Sequence, residues 1–399
     1  MEKTMVQSKE SKKEDALRKK AISGETFVFI GVVAIIFIYL ANVMGIGVMF
    51  SVAMNTAHDL ILNTAFYIMA VAVLAGGAAA LMSEFGIIAL ANKLISPIMR
   101  PLFGLPGAAS LGAVTTYISD NPAILPLIED KGFARYFKKY EIASLCNLGT
   151  VFGMGLIVTS YILGLGTEYI LPAIIGNIGA VLGGIVSVRL MILGGKKHYG
   201  DEKNIVTENL NSDLLDYRPI REGNLFQRIL DALMEGGKNG VTLGLNVIPG
   251  ILIVCTIVMM LTFGPSGTEN GVAVYEGVAY EGVALLPKLG NYIAPVLNFL
   301  FGFKSMEALA LPITSLGAVG AAMGMTKGLL AQGLMDAHDI AVFVAIGICW
   351  AGFLSTHTGM MDSIGGRKLT NKAIVTHFIG GIAAGVFANY LYLAVTYFL

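Results

Sequence analysis

Ser110-Leu111-Gly112-Ala113-Val114 recurs unchanged as Ser315-Leu316-Gly317-Ala318-Val319, 205 residues further along the chain. Ahead of the first copy stands Pro97-Ile98-Met99-Arg100-Pro101-Leu102-Phe103-Gly104, and ahead of the second, 198 residues on, Pro295-Val296-Leu297-Asn298-Phe299-Leu300-Phe301-Gly302. Behind them come Cys146-Asn147-Leu148-Gly149 and Cys349-Trp350-Ala351-Gly352, 203 residues apart. Three matches in one order at nearly one spacing predict two related halves that differ by short insertions. In a lipophilic chain, paired halves are the pattern of a secondary transporter.

The chain is lipophilic: of its 399 residues 55% are apolar and only 14% charged, against about a quarter charged in soluble domains. Formal net charge is zero, and the basic residues carry no aromatic interleaving, so no nucleic-acid partner is expected. Cys146, Cys255 and Cys349 each sit in an apolar run; an odd number excludes full pairing, and the spacing has no zinc or redox pattern. There is no His-Glu-x-x-His run, no Gly-x-Ser-Gly run and no nucleotide-binding loop. The expectation is therefore no enzyme, no cofactor beyond a possible coupling Na+ or H+, and no bound metal. The partners expected are a small-molecule solute and the lipid bilayer.

Stretches long enough to cross about 30 Å of hydrocarbon run 27–50, 60–83, 142–167, 169–188, 240–263, 340–361 and 373–399. The first is too long for the apolar part of a signal peptide and reads as a retained helix. Lys and Arg concentrate in the first twenty residues and in 131–139, 196–228 and 367–372, which marks cytoplasmic loops; 42–59 and 264–290 read as outer loops. The predicted class is an all-α polytopic membrane protein with about seven transmembrane helices, multi-pass in a prokaryotic plasma (inner) membrane, with a cytoplasmic N-terminus. The division expected is a cytoplasmic tail 1–23, an extra helix and outer loop 24–58, a first repeat 59–193, a cytoplasmic linker 194–228 and a second, inverted repeat 229–399. Inversion follows because 60–83 runs inward and 240–263 outward. The span 27–50, without a partner in the repeat, is available for a homo-oligomer interface. The tandem Tyr275-Glu276-Gly277-Val278-Ala279 and Tyr280-Glu281-Gly282-Val283-Ala284 reads as a duplication in a solvated loop without chemistry of its own.

Residues 104–128 and 304–328 do not fit as spans. Each has charge at both ends and small or polar residues in its middle, so each reads as a re-entrant helical hairpin, a form that survives only when buried in protein or lining a wet cavity. An amphipathic stretch precedes each; 84–102 puts Ile87, Leu94, Ile98 and Leu102 on one side, as an interfacial helix does.

At the first tip Asp120 is a carboxylate at membrane depth, costly unless partnered or wet, and Asn121-Pro122 is a helix start whose free N–H groups face the site. Thr115, Thr116, Ser119, Asp120 and Asn121 are candidate solute ligands, with Thr326 from the second hairpin and Ser355, Thr356, His357 and Thr358 from a span too polar to face lipid. Asn147, Thr150, Asp120, His357 and Asp362 are candidate ion-coupling residues, through hydroxyls and amides for sodium or through imidazole for protons. Lys327 is a further candidate if it stands at the second tip. Asp336-Ala337-His338-Asp339 reads as a helix cap rather than a metal site.

This order of span, interfacial helix, hairpin and two spans, then repeated, resembles the core of concentrative nucleoside transporters. The Phe103-Gly104-Leu105-Pro106-Gly107 segment with Ser110–Val114, and its second-half copy, look like the Gate domain (nucleoside recognition domain). The resemblance covers roughly 60–399. It implies an ion-coupled secondary transporter of a small polar solute, nucleoside-like or a small organic anion, with an elevator-type mechanism. It implies tips at Thr115–Asn121 and Gly320–Lys327, and unwound helices at Asn147–Thr150 and Ser355–Thr358. Because the first tip lacks a Gln-Thr-Glu cluster and the second a glutamate, the solute class is left broad. The alternative is a non-transporting Gate-domain factor in assembly or sporulation.

Overall fold

The computed structural model describes residues 20–200, 218, 220–269 and 272–398, together with the backbone but not the side chains of Lys131, Gly132 and Ser355. Most of the tail 1–23 and the middle of the linker 194–228 lie outside the described residues.

The protein is an all-α polytopic membrane protein. Among the described residues six helices are long and apolar enough to cross a bilayer: Gly24–Met44, Ile46–Glu84, Lys139–Leu163, Thr167–Tyr199, Leu225–Thr262 and Arg367–Phe398. The expected seventh, 340–361, is instead divided between two shorter helices, Ala337–Trp350 and Phe353–Ser363. The first half contains α1 (Gly24–Met44), α2 (Ile46–Asp59), α3 (Phe66–Glu84), α4 (Ile87–Phe103), α5 (Ala109–Ile118), α6 (Ile124–Glu129), α7 (Lys139–Phe152), α8 (Gly155–Leu163) and α9 (Ile170–Tyr199). The second contains α10 (Leu225–Pro249), α11 (Thr256–Thr262), α12 (Ala294–Phe301), α13 (Ala310–Ser315), α14 (Val319–Ala331), α15 (Ala337–Trp350), α16 (Phe353–Ser363) and α17 (Thr370–Phe398).

Two expected boundaries move. The span 27–50 breaks at Gly45, whose φ of 84° no helix accommodates, and the expected outer loop 42–59 is instead largely α2. That helix runs on through a π-helical turn, Leu60–Ala65, into α3. A matching π-helical turn, Gly250–Cys255, joins α10 to α11. The outer loop carries a short hairpin, Gly267–Glu269 with Val272–Val274, and is strapped to α2. Asn55 donates to the Gly277 carbonyl at 2.7 Å, Tyr280 N–H to Thr56 Oγ1 at 2.9 Å, and the Tyr280 hydroxyl to Asp59.

Small residues set the helix pairing, because in lipid the gain comes from close packing rather than from excluding water. A Cβ on Gly76 would sit 2.5 Å from the Gly236 carbonyl oxygen, and further along the pair Gly240 meets Ala72 and Gly244 meets Met69. Residue numbers rise on α3 as they fall on α10, so the two run antiparallel. The same holds for α9 and α17, where Gly179 meets Ala384 and Ala388, Gly183 meets Gly380 and Ser187 meets Gly380.

Structural landmarks fix the register of the halves at 198. Helices α4 and α12 both end on left-handed glycines, Gly104 and Gly302; α7 and α15 start at Lys139 and Ala337 and end at Phe152 and Trp350. The third residue of each is a buried acid that grips the preceding turn: Glu141 accepts from Arg100 at 3.1 Å and from Lys138 N–H at 2.8 Å, and Asp339 accepts from Lys304 N–H at 3.0 Å. The Pro97 and Pro295 blocks therefore correspond. The Ser-Leu-Gly-Ala-Val copies, at 205, do not: the first lies early in α5 and the second spans the end of α13 and the turn after it. The identity therefore falls seven residues, about two helical turns, out of the structural register.

The exposed surface is hydrocarbon-like. The α4 face predicted to be interfacial holds Leu94 and Ile98 outward while Asn92, Met99 and Phe103 turn in. Lys139–Leu163 stands at the protein's centre, with 83% of its most apolar window buried, against 11% for α1.

Candidate functional site

Both predicted hairpins form. In the first, α5 turns at Ser119-Asp120 into a 3-10 turn, Asn121–Ala123, and α6. Gly112 on the outgoing arm leaves room for Ile124 on the returning one, since a Cβ there would lie 2.3 Å from Ile124 Cδ1. In the second, α13 turns at Leu316-Gly317-Ala318 into α14. The second tip is therefore not Gly320–Lys327, which is helical throughout; small glycines and a lysine were read as a break, yet they serve helix packing.

Two helices are interrupted beside these tips. Between α7 and α8, Gly153 is followed by Met154 at φ 60°; between α15 and α16, Ala351 and Gly352 stand at φ 36° and 73°. Non-glycine residues in the left-handed region are strained, and such strain clusters at binding sites and switches. The second break frees backbone groups that both tips take up, while the first break only packs against Asn121 through Gly153. Gly352 N–H donates to the Ser315 carbonyl at 2.9 Å and Leu354 N–H to the Leu316 carbonyl at 3.1 Å, which seats the second tip on the second break. Asn121 seats the first: its amide donates to the Ala351 carbonyl at 2.8 Å and to Thr356 Oγ1 at 3.2 Å. Its Oδ1 is buried without a hydrogen-bond partner and faces Gly153, where a Cβ would lie 1.5 Å away.

Tips and breaks enclose one cavity of about 160 Å³, lined by Asp120, Met154, Gly317 to Gly320, Ala351, Gly352 and Thr356, and closed by Leu243, Asn246, Val247 and Gly250 at the end of α10. Asp120 is the one ionisable side chain of the lining. Its carboxylate accepts from Asn121 N–H at 2.7 Å and keeps its remaining acceptor capacity for the cavity. The remaining walls carry one hydroxyl, Thr356, one amide, Asn246, glycines and alanines, and the apolar side chains of Met154, Leu243, Val247 and Val319. Chemically this is a site for a small solute with hydrogen-bond donors.

The candidates drawn from the sequence divide cleanly. Asp120 and Thr356 line the cavity and Asn121 holds its wall, but the rest lie elsewhere. Thr115 is half-buried on α5, and Thr116 bonds the carbonyls of its own helix, Gly112 and Ala113. Ser119 forms the turn before Asp120 and is not in the lining. Thr326 is buried in mid-α14, bonded to Met323 and to the Tyr161 hydroxyl. Thr358 is exposed on the far side of α16, and the Ser355 side chain lies outside the described residues. Thr150 bonds the Cys146 carbonyl. Asp362 is exposed and faces Arg367 at 3.7 Å, not His357. Lys327 lies over the Tyr67 ring at 3.8 Å from its centroid, away from the tip. Asp336, His338 and Asp339 come together, with Asp336 capping α15 through His338 N–H and Asp339 N–H.

Asn147 and His357 do meet, in a wholly buried polar cluster behind the cavity, and with them come three residues absent from the sequence reading: Ser187, Thr376 and His377. His377 sits amid an apolar span, and steps of three and four along α17 place it with Gly380 and Ala384 on the face that meets α9. That was the signal available. Gly317, Ala318 and Asn246 were missed as well; the 198 register places Gly317 opposite Ser119, and an amide three residues before Pro249 in an apolar helix marks Asn246.

Comparison with known proteins bears on the fold. The solved structure of the concentrative nucleoside transporter CNTnw in an inward-facing substrate-bound state matches with a TM-score of 0.51 and 16% identity, covering 92% of this chain and 87% of that one. A variant of CNTnw in its intermediate 2 state matches with a TM-score of 0.52 and 15% identity, covering 92% and 84%. At these identities the likeness establishes a common fold. No protein-family model matches the sequence, and no curated protein matches it.

Proposed function

We propose that this chain is an ion-coupled secondary transporter of a small polar solute with nucleoside-like hydrogen-bonding groups, bound in the cavity between the two hairpin tips. The carrying observation is the convergence of two tips and two helix breaks on one cavity whose lining holds a single carboxylate. That carboxylate disfavours the organic-anion option: an anion beside Asp120 meets a like charge in a low-dielectric site, whereas an amine, amide or hydroxyl donor meets an acceptor. Size adds a constraint. A cavity of about 160 Å³ is smaller than the roughly 300–1,000 Å³ of ordinary ligand pockets, so a nucleoside enters only when the hairpins part.

The reading extends to Gate-domain ancestry, an inverted-topology repeat and an elevator-type cycle. The antiparallel pair α3 and α10 serves as the frame, and the hairpins with α7, α8, α15 and α16 move against it. The π-helical turns Leu60–Ala65 and Gly250–Cys255 lie in the frame helices, the second directly in the cavity wall, and π turns are recurrent at functional positions. CNTnw is recorded in an inward-facing state, the counterpart of one end of such a cycle.

The test is uptake of labelled nucleosides, nucleobases and small polar amines into liposomes holding the purified full chain. Accumulation of one class, reduced about tenfold or more by Asp120→Asn with little change in melting temperature, is the expected result. Uptake indifferent to Asp120→Asn removes the cavity from the account.

A further inference from the structure

Behind the cavity the hydrogen bonds among buried groups have fixed directions. The Asn147 amide nitrogen faces three acceptors, Ser187 Oγ at 3.0 Å, Thr376 Oγ1 at 3.1 Å and the Ala373 carbonyl at 3.3 Å. That fixes the other end of the amide, Oδ1, toward His357 Nε2 at 3.3 Å. An amide oxygen only accepts, so His357 Nε2 carries a proton. On the other ring, His377 Nε2 lies 2.7 Å from the Cys349 carbonyl and must donate, leaving Nδ1 to accept from Ser187 Oγ at 3.0 Å. One directed chain runs from His357 through Asn147 and Ser187 to His377 and ends on a carbonyl.

His377 is saturated as a neutral ring. His357 is not: its Nδ1 is buried and without a hydrogen-bond partner, while the Phe353 carbonyl stands one helical turn earlier on the same helix. A buried acceptor left unpaired is unfavourable, and a proton on Nδ1 turns it into a donor for that carbonyl without breaking any other bond. Carbonyl and amide acceptors are thus already arranged for the imidazolium of His357. The two rings stand 4.7 Å apart between centroids, close enough that a second charge is repelled, so the pair holds one proton.

We propose that His357 binds the single proton that drives each transport cycle, oriented by Asn147, Ser187 and His377. This rests on the transport reading above and names its coupling ion. The link to the solute is short: Thr356, the preceding residue, lines the cavity and accepts from Asn121 at the first tip. A proton entering from the cavity reaches His357 Nδ1, bonds the Phe353 carbonyl and stiffens the first turn of α16 on which Thr356 sits. It leaves to water on the other side when the cavity opens there. Ionisable groups on the surrounding elements are engaged elsewhere. Glu141 on α7 holds Arg100, Arg189 on α9 holds the Pro101 and Leu102 carbonyls, and His338 on α15 faces Asp339. Asp362 on α16 faces Arg367, Lys372 on α17 packs on Gly194, and Asp120 faces the cavity. The thiols of Cys146 and Cys349 are buried on α7 and α15.

Two measurements decide it, both on the full chain in lipid. In ¹⁵N-histidine NMR of the chain with the more exposed His58, His198 and His338 replaced by Gln, one buried imidazole is expected to gain and lose a proton on Nδ1 within about pH 5 to 8, a signal lost in His357→Gln and kept in His377→Gln. No such titrating ring, or one assigned to another histidine, overturns the proposal without any solute being known. In vesicles, labelled uridine is expected to accumulate under a pH gradient and to show exchange without net accumulation in His357→Gln. Accumulation under the gradient that survives His357→Gln, or that follows sodium at fixed pH, overturns the proposal while leaving transport intact. Failure of every solute to enter, with the titration present, sinks the transport reading instead.

Discussion

The first hairpin turns at Ser119-Asp120 and presents a carboxylate and an amide; the second turns at Leu316-Gly317-Ala318 and presents backbone and small apolar groups. Both tips rest on a helix break, yet they are held differently. Asn121 reaches across with a side chain to the Ala351 carbonyl and Thr356. The second tip is bonded main chain to main chain, through Gly352 and Leu354. The two tips are thus chemically unlike: the first brings a carboxylate and an amide to the cavity, the second only backbone and small apolar groups.

The largest predicted effect separates the two seats. Gly153→Ala places a methyl group 1.5 Å from the position of Asn121 Oδ1, so the first tip must lift. Overpacking of this kind costs about 1–3 kcal/mol, and thermal unfolding together with an uptake loss of about tenfold or more is the expected reading. Wild-type behaviour of Gly153→Ala would mean that the first tip is not seated on the break at all.

A moderate effect is expected from Thr326→Val, which removes the hydroxyl shared with Tyr161 and Met323 in the arm of the second hairpin. Loss of one buried hydrogen bond costs about 1 kcal/mol. Since Thr326 lies outside the cavity, melting temperature falls while the affinity for solute, read from the concentration dependence of uptake, stays. A change in affinity returns Thr326 to the site and erases the contrast between the tips.

Least of all should come from Gly317→Ala. Its added Cβ meets nothing closer than the Thr314 carbonyl at 3.8 Å, and no side-chain chemistry is lost. Stability and uptake within about 0.5 kcal/mol and twofold of the unaltered protein are expected. A severe defect would show that the second tip needs its glycine for motion or for ligand approach.

Much of this architecture was legible in the residues because membranes restrict the choices. Long uncharged runs, charge at the ends of two stretches too polar to span, and an Asp-Asn-Pro turn gave most of the helices, both hairpins and the Ser119-to-Asn121 end of the first tip. By contrast Thr115 to Ile118, placed in the tip, and Asn147 to Thr150 and Ser355 to Thr358, expected to be unwound, are helical. What misled was the composition of small residues. Glycine and alanine serve tight helix packing, helix breaks and turns alike, so Ser-Leu-Gly-Ala-Val matched between an arm and a tip, and Gly320 to Lys327 was read as a turn although it packs as helix. The site was legible only in part for a related reason. Threonines in apolar helices mostly bond their own backbone, as Thr116 and Thr150 do, and such a threonine is indistinguishable in sequence from Thr356, which lines the cavity. His377 was overlooked because its partners, Ser187 and the Cys349 carbonyl, come from helices that only tertiary structure brings together.

The meeting of the two tips is tested most directly by cross-linking Asp120→Cys with Ala318→Cys in a chain whose three native, buried cysteines have been replaced. Both positions line the same small cavity, so a short bifunctional thiol reagent applied to the protein in lipid should join them within one chain, detected as a linked peptide after proteolysis. Reaction of each cysteine singly with no linked peptide, under conditions where both are labelled, would contradict the account.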